Sequence, residues 1–188
     1  MTKAGGGILN LSQKIRPVYA TMAITQRDTG ETSPNDISVT AHPSGNTILN
    51  PPSAPVTAGP GPFGGYHKVS AYIVEGSAKE LSVVSGEMII PNDGLFLVPV
   101  AYASFRHSAN NATVALVFGI ERAGQIFFSQ RPVPSKQPNL GDVTNISGGG
   151  QINSLTGDKI SVWVASDITG TITIGNSNVT VHMLEDTT

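Results

Sequence analysis

The sequence predicts an all-β protein with an antiparallel sandwich, and two observations carry this prediction. Short segments rich in β-branched and aromatic residues alternate between apolar and polar side chains, which is the pattern of half-buried strands. Turn-forming Gly, Pro, Asn and Asp residues separate these segments, and no segment after residue 66 keeps a helical period over more than about ten residues. Many short strands of this kind are typical of sandwiches and barrels.

Residues 1–40 are predicted to form an N-terminal anchor segment that contains a short strand or a hairpin. The run 18–24 is apolar and β-branched, and the run 37–40 is a candidate return strand. Because this segment is too short to bury a core alone, it must pack on the main domain or on a partner. We expect four apolar side chains near its start to bind that partner: Ile8, Leu9, Leu11 and Ile15.

Residues 41–65 are predicted to form an extended arm, because this segment is rich in proline and glycine. Proline removes a backbone donor and favours extended chain, so the segment does not fit a sheet interior. Two interpretations remain open, a flexible linker and an arm laid over a neighbouring subunit, and the proline content favours a semi-rigid arm. Residues 66–188 then form the main domain.

The clearest strand patterns lie in the second half of the main domain. The runs 112–120 and 159–165 each send every second apolar residue to one face, and Trp163 lies on the opposite face of the second run. A turn after the first run leads into a return strand and completes a hairpin. In that return strand Phe127 and Phe128 must point to opposite faces, so one of them lies outside the core of its own subunit.

Residues 66–188 resemble the C1q/TNF-like jelly roll in three stretches. Residues 85–98 are similar to the family's run "G-x-F-x-x-P-x-x-G-x-Y", with Phe96 in place of the usual tyrosine. The hairpin of residues 114–128 is similar to a strand, turn and return strand of the family. Residues 155–158 (LTGD) are similar to the family's "L-x-x-G-D" signature, with one residue instead of two between the leucine and the glycine. We expect a tight turn there, because glycine accepts a positive φ and aspartate can bond a nearby backbone N–H.

The resemblance implies an antiparallel jelly-roll sandwich that forms compact threefold trimers and binds proteins or glycans, without enzymatic activity. Aromatic residues are enriched at protein interfaces. We therefore predict Phe127, Phe128 and His182 as candidates for the trimer interface, with one of the two phenylalanines contributing. Compact relatives of this family also occur in bacteriophage virions, as capsid decorations, fibre heads and receptor-binding tips.

These features lead to an expected function in a phage virion. The sequence contains no signal-peptide core, collagen repeat or coiled-coil stalk. We expect a non-enzymatic homotrimer, made in the host cytoplasm, that serves as a capsid decoration, cement or head-fibre protein and is attached to capsid or tail proteins through its N-terminal segment. The alternative is a tip of a tail fibre that binds a host surface protein or glycan through loops near 106–112 and 131–150.

Composition argues against other classes of function. Only 13% of the residues are charged and the net charge is −2, so we expect no nucleic-acid partner. No apolar run of about 18 residues exists, so we expect no membrane partner. The chain has no cysteine, its four histidines lack metal-site spacing, and no G-x-S-x-G motif occurs. We therefore predict no catalytic residue, no metal and no cofactor.

Overall fold

A computed structural model of the chain describes residues 16–24, 36–43, 49–70, 73–74, 81–91, 94–129 and 132–185. The predicted anchor residues Ile8, Leu9, Leu11 and Ile15 lie outside this part of the chain. The all-β prediction is confirmed, since the described residues form 14 strands and no helix. The strands are β1 (Arg16–Ile24), β2 (Asp36–Val39), β3 (Val56–Thr57), β4 (His67–Lys68), β5 (Ile73–Val74), β6 (Ser82–Val84), β7 (Glu87–Ile89), β8 (Gly94–His107), β9 (Thr113–Arg122), β10 (Gln125–Phe128), β11 (Val133–Lys136), β12 (Thr144–Ser154), β13 (Lys159–Ser166) and β14 (Gly170–Glu185).

These strands form two antiparallel sheets that pack face to face. Sheet A has the order β12–β8–β14–β1–β5, and β2 also pairs with β14. Sheet B has the order β3–β10–β9–β13–β7–β6, with β11 paired to β9 and β4 paired to β13. Strands distant in sequence lie side by side, so the chain crosses repeatedly between the two sheets, as in a jelly roll. The predicted antiparallel jelly-roll sandwich is confirmed.

The main core lies between the two sheets and follows the predicted alternation. Alternate residues of β9 and β13 point inward, and alternate residues of β8 and β14 meet them from sheet A. All of these inward side chains are buried. From sheet B they include Val114, Leu116, Phe118, Ile160, Val162 and Val164, and from sheet A they include Ala103, Phe105, Val179 and Val181.

The N-terminal strands belong to sheet A. Strand β1 pairs with β14 along its whole length, from Arg16 opposite Glu185 to Ile24 opposite Ser177. Strand β2 also pairs with β14, so β1 and β2 do not form a hairpin with each other. The backbone of residues 16–24 is therefore part of the sandwich. The division of the chain into an anchor, an arm and a main domain remains a prediction.

Residues 49–65 lie across the outer face of sheet B. Leu49, Val56 and Phe63 pack against the outward side chains of β9 and β13. Strand β3 adds two residues to the edge at β10, which agrees with the exclusion of a proline-rich segment from a sheet interior. The arm therefore covers its own subunit, and sheet B is packed on both faces.

Candidate interaction surfaces

The arm encloses a second apolar cluster around Trp163. The indole is buried, and its Nε1–H donates to Ser161 Oγ at 2.8 Å. Its ring contacts Phe128 at a centroid distance of 5.3 Å and Phe63 of the arm at 5.7 Å. Strand β9 passes beneath the indole at Gly119, where there is no side chain to displace it. This outer face is therefore already occupied.

Polar contacts fix the arm at its N-terminal end. The buried Tyr66 hydroxyl donates a hydrogen bond to the backbone carbonyl of Leu49, and burial raises the pKa of that hydroxyl. The His42 ring lies edge-on to Tyr66 with centroids 6.0 Å apart, and its Nε2 lies 3.0 Å from the Asn50 carbonyl. These polar contacts hold the backbone at Leu49 and Asn50, and the apolar cluster holds the rest of the arm on sheet B.

A group of ion pairs borders the Trp163 cluster. Lys68 pairs with Glu87, and Lys159 Nζ lies 2.9 Å from Glu121 Oε1. The hydrogen bond with Glu121 raises the pKa of Lys159. Both cations are thus matched by carboxylates, and we assign this region to stabilisation of the fold.

The predicted turn at Gly157 and Asp158 is confirmed. Gly157 has a φ of 85°, and the backbone N–H of Leu155 donates to Asp158 Oδ2 at 2.8 Å. The Asp158 carboxylate is only 2% exposed, and Arg122 reaches it from β9 with Nε at 3.0 Å and Nη2 at 2.6 Å. The sequence motif predicted the turn. It did not predict that Arg122, 36 residues earlier in the chain, pairs with the Asp158 carboxylate.

The outer face of sheet A is open where its side chains are described. Tyr102 is 42% exposed, and its hydroxyl donates to Asn145 Oδ1 at 2.8 Å. Near it, Ser104 Oγ accepts from the Asn176 N–H at 2.9 Å, and Thr180 donates to Asn178 at 3.0 Å. These groups are polar but uncharged, and the arm does not cover them. The exposed Arg106 follows on the same face, two residues beyond Ser104. The sequence predictions did not include this surface.

The predicted separation of the two phenylalanines is confirmed. Phe128 is 7% exposed and packs on Trp163 under the arm, whereas Phe127 is 39% exposed. Because Phe128 is buried within its own subunit, only Phe127 of this pair can offer its ring to a neighbouring subunit. His182 pairs through its backbone with Tyr19 and Leu97 in sheet A, and its side chain lies outside the described part. The interface roles of Phe127 and His182 remain predictions.

A buried serine and histidine meet near the end of the sandwich but are not arranged as a nucleophile and its base. Ser166 Oγ lies 3.2 Å from His107 Nε2, and both residues are buried. The Ala109 N–H donates to His107 Nδ1 at 3.0 Å, so the ring proton sits on Nε2 and donates to Ser166. In this tautomer Nε2, the atom that faces Ser166, has no lone pair to accept the serine proton. Burial lowers the pKa of His107 and favours the neutral ring.

The loops at this end of the sandwich carry two exposed aliphatic side chains. Leu140 is 63% exposed and Val143 is 55% exposed, both in the loop between β11 and β12. Among the residues described, no group of three or more histidines and carboxylates could hold a metal ion. No helix in that same part of the chain is long and apolar enough to cross a membrane.

Two sheets with this strand order and a packed inner core define a C1q/TNF-like jelly-roll domain. The chain is similar to the structure of Eiger TNF from S. frugiperda, with a TM-score of 0.55, 9% identity, and coverage of 91% of this chain and 96% of that one. It is also similar to murine APRIL at pH 5.0, with a TM-score of 0.51, 9% identity, and coverage of 88% and 99%. At this identity the likeness shows the fold alone. No protein-family model matches the chain, and no curated protein matches it.

Proposed function

We propose that this chain is a non-enzymatic, homotrimeric structural protein of a phage virion, which decorates or cements the capsid or forms a head fibre. The observation that carries the proposal is the difference between the two outer faces of the sandwich. The arm covers sheet B, whereas sheet A presents uncovered, uncharged polar groups around Tyr102. An uncharged face can meet another copy of the chain without repulsion between like charges.

The proposed subunit contact joins two different patches of the chain. Tyr102 lies on the outer face of sheet A, and Phe127 lies in β10 of sheet B. Phe128 points under the arm, so Phe127 points toward the side of sheet A, at a position that stays exposed. A contact between unlike patches is heterologous, and it closes into a ring when the rotation between neighbouring subunits allows closure. The resemblance to the C1q/TNF-like family favours a ring of three.

Native mass spectrometry and sedimentation test this assembly. The wild-type chain should have three times the mass of the 19.5 kDa subunit. Tyr102→Asp and Phe127→Asp should each shift low-micromolar protein to monomer, because a buried unpaired carboxylate costs several kcal/mol. Leu155→Asp is the matched control, since Leu155 is an exposed apolar residue in the turn before β13, and this variant should remain trimeric. A monomeric wild-type protein would refute the proposal.

Attachment to capsid or tail proteins is proposed for the residues that precede β1. Residues 16–24 pair with β14, so a deletion that reached into them would remove a strand from sheet A. The informative deletion removes residues 2–15 only. This variant should stay trimeric and lose binding to purified particles. If it still binds particles with unchanged affinity, the anchor lies elsewhere.

The alternative function is a receptor-binding tip of a tail fibre, and the exposed loop between β11 and β12 is the observation that favours it. Among the described residues of 106–112 and 132–149 there is no aromatic side chain on which a sugar ring could stack. The exposed apolar groups there are Leu140 and Val143, which suit a protein surface better than a glycan. A glycan array should therefore give no specific signal, and a specific glycan would contradict this argument.

A further inference from the structure

We propose that the loops 107–111 and 137–143 form a preorganised docking platform for a protein surface with an apolar centre and an acidic rim. The platform goes beyond self-association and N-terminal attachment, because its two loops lie beyond the end of the Tyr102 face, which only Arg106 shares, and it does not use the residues before β1. Three features define its chemistry: a fixed backbone, an exposed aliphatic pair and flanking cations.

Gln137 fixes the two loops to each other. Its side chain is buried, and its Oε1 accepts the His107 N–H at 2.5 Å. Its Nε2 donates to the carbonyls of His107 at 3.0 Å and Asn139 at 2.9 Å. One amide side chain therefore holds both loops at three backbone positions, in an environment where each bond resists exchange with water.

Further bonds hold the tip of the longer loop. The Leu140 N–H donates to Asn110 Oδ1 at 2.5 Å, and the Asn111 N–H donates to the Pro138 carbonyl at 3.2 Å. Asp142 Oδ2 accepts from the backbone N–H of Asn139 at 3.1 Å. The loop is ordered before any partner arrives, so binding does not have to order it.

The exposed aliphatic pair lies on this rigid frame. Leu140 and Val143 are three residues apart in one loop, and both side chains are mostly exposed. Single exposed apolar residues are common, but two on a loop with a fixed backbone form a patch that a partner can desolvate. The patch supplies the apolar centre of an interface.

Two cations flank the patch. Lys136 directly precedes Gln137, and Arg106 follows Phe105, which pairs with Thr144 at the start of β12. Both cations are exposed, and neither has an ion-pair partner among the described residues. Two carboxylates lie near these loops, and both already accept hydrogen bonds within the chain. Asp142 accepts from the backbone and side-chain N–H groups of Asn139, and Asp167 accepts from the Thr113 N–H at 2.7 Å. The rim therefore favours carboxylates on the partner.

The platform lies at the opposite end of the sandwich from Arg16, the first residue of β1. Along β14, Ile172 pairs with His107, whereas Glu185 pairs with Arg16. A chain held to a particle by residues before Arg16 would present the platform away from that particle. This orientation rests on the proposed attachment, but the platform itself does not.

Two synthetic peptides test the proposal by NMR with isotope-labelled full-length protein. Both have the same Leu/Ile/Phe centre of six residues, and one is flanked by three glutamates on each side while the other is flanked by lysines. The glutamate peptide should shift the amide signals of residues 106–111 and 136–143 and bind at least tenfold more tightly than the lysine peptide. The difference should shrink in high salt.

Two variants separate the platform from other effects. Leu140→Ser combined with Val143→Ser should lose at least tenfold in affinity for the glutamate peptide while the native mass and particle binding stay unchanged. Gln137→Leu should weaken binding and increase hydrogen exchange of both loops. The proposal is overturned if the peptides bind equally, if the shifts map elsewhere, or if the double variant binds like wild type. A change in native mass with intact peptide binding would instead count against the proposed trimer contact.

Discussion

The approach of Trp163 to strand β9 predicts a steep cost for adding one methyl group at Gly119. A Cβ at this position would lie 2.6 Å from Trp163 Nε1 and 2.9 Å from its Cδ1. Non-bonded heavy atoms of this kind prefer separations of about 3.5–4.0 Å. The clash is with the pyrrole edge of a buried ring, so Gly119→Ala must displace the indole or the arm above it.

The expected destabilisation follows from two contributions. Overpacking a filled core costs about 1–3 kcal/mol. Displacing the indole also breaks the bond from Nε1 to Ser161 Oγ, whose loss costs about 1 kcal/mol. The free energy of unfolding should therefore fall by about 2–4 kcal/mol. In a domain of this size that corresponds to a decrease of about 5–15 °C in melting temperature.

The single tryptophan makes the assay specific, because its fluorescence reports on the same cluster. Gly59→Ala is the matched control, since a Cβ at Gly59 would lie 3.6 Å from Phe63 Cζ, an ordinary contact. Both substitutions reduce the entropy of the unfolded chain equally, so their difference isolates packing. If Gly119→Ala unfolds at the temperature of the control with unshifted emission, Trp163 does not lie on β9 as described.

Three further perturbations address charge, pH and backbone conformation, each at one fixed subunit concentration. Burial lowers the pKa values of His107 and His67, so the unfolded state binds protons more readily than the folded state. The free energy of unfolding should therefore fall as the pH drops below 6.5. Equal urea midpoints at pH 7.5 and pH 5 would contradict this expectation. Arg122→Met leaves the Asp158 carboxylate with less compensation and should cost about 2 kcal/mol in urea denaturation, with partial recovery in Arg122→Lys. Gly157→Ala places a side chain at a φ of 85° and should cost about 1–2 kcal/mol by calorimetry, whereas a neutral result would argue against the turn.

The sequence was sufficient to predict features that depend on local patterns. The alternation in β9 and β13 identified the side chains that face sheet A, because a strand repeats every two residues. The pair Gly157 and Asp158 identified a turn for the same reason, since both the positive φ and the capping bond involve neighbouring residues. Such predictions need no knowledge of which strands are neighbours in space.

Features that depend on distant contacts were not predictable in this way. Leu49 and Trp163 share a cluster although they are 114 positions apart in the sequence (163 − 49), and nothing near either residue indicates the other. Alternation predicted that Phe127 and Phe128 face opposite ways, but it could not show that the arm covers the face of Phe128. Gln137 gave no signal at all, because a glutamine that fixes two loops looks like any polar loop residue.

Because the arm covers the outer face of sheet B, the proposed assembly is a ring and not a face-to-face dimer. If two sheet A faces met across a twofold axis, both copies of Tyr102 would be buried while both copies of Phe127 stayed exposed. A contact between the sheet A face of one subunit and the β10 side of the next would bury one of each per interface, and these two are the exposed large aromatic side chains among the described residues. Because the arm covers the outer face of sheet B, the proposed contact would use one acceptor patch around Tyr102 and one donor patch at Phe127. Heterologous contacts of that kind must either close or grow without limit, and closure is the outcome that the proposed trimer requires.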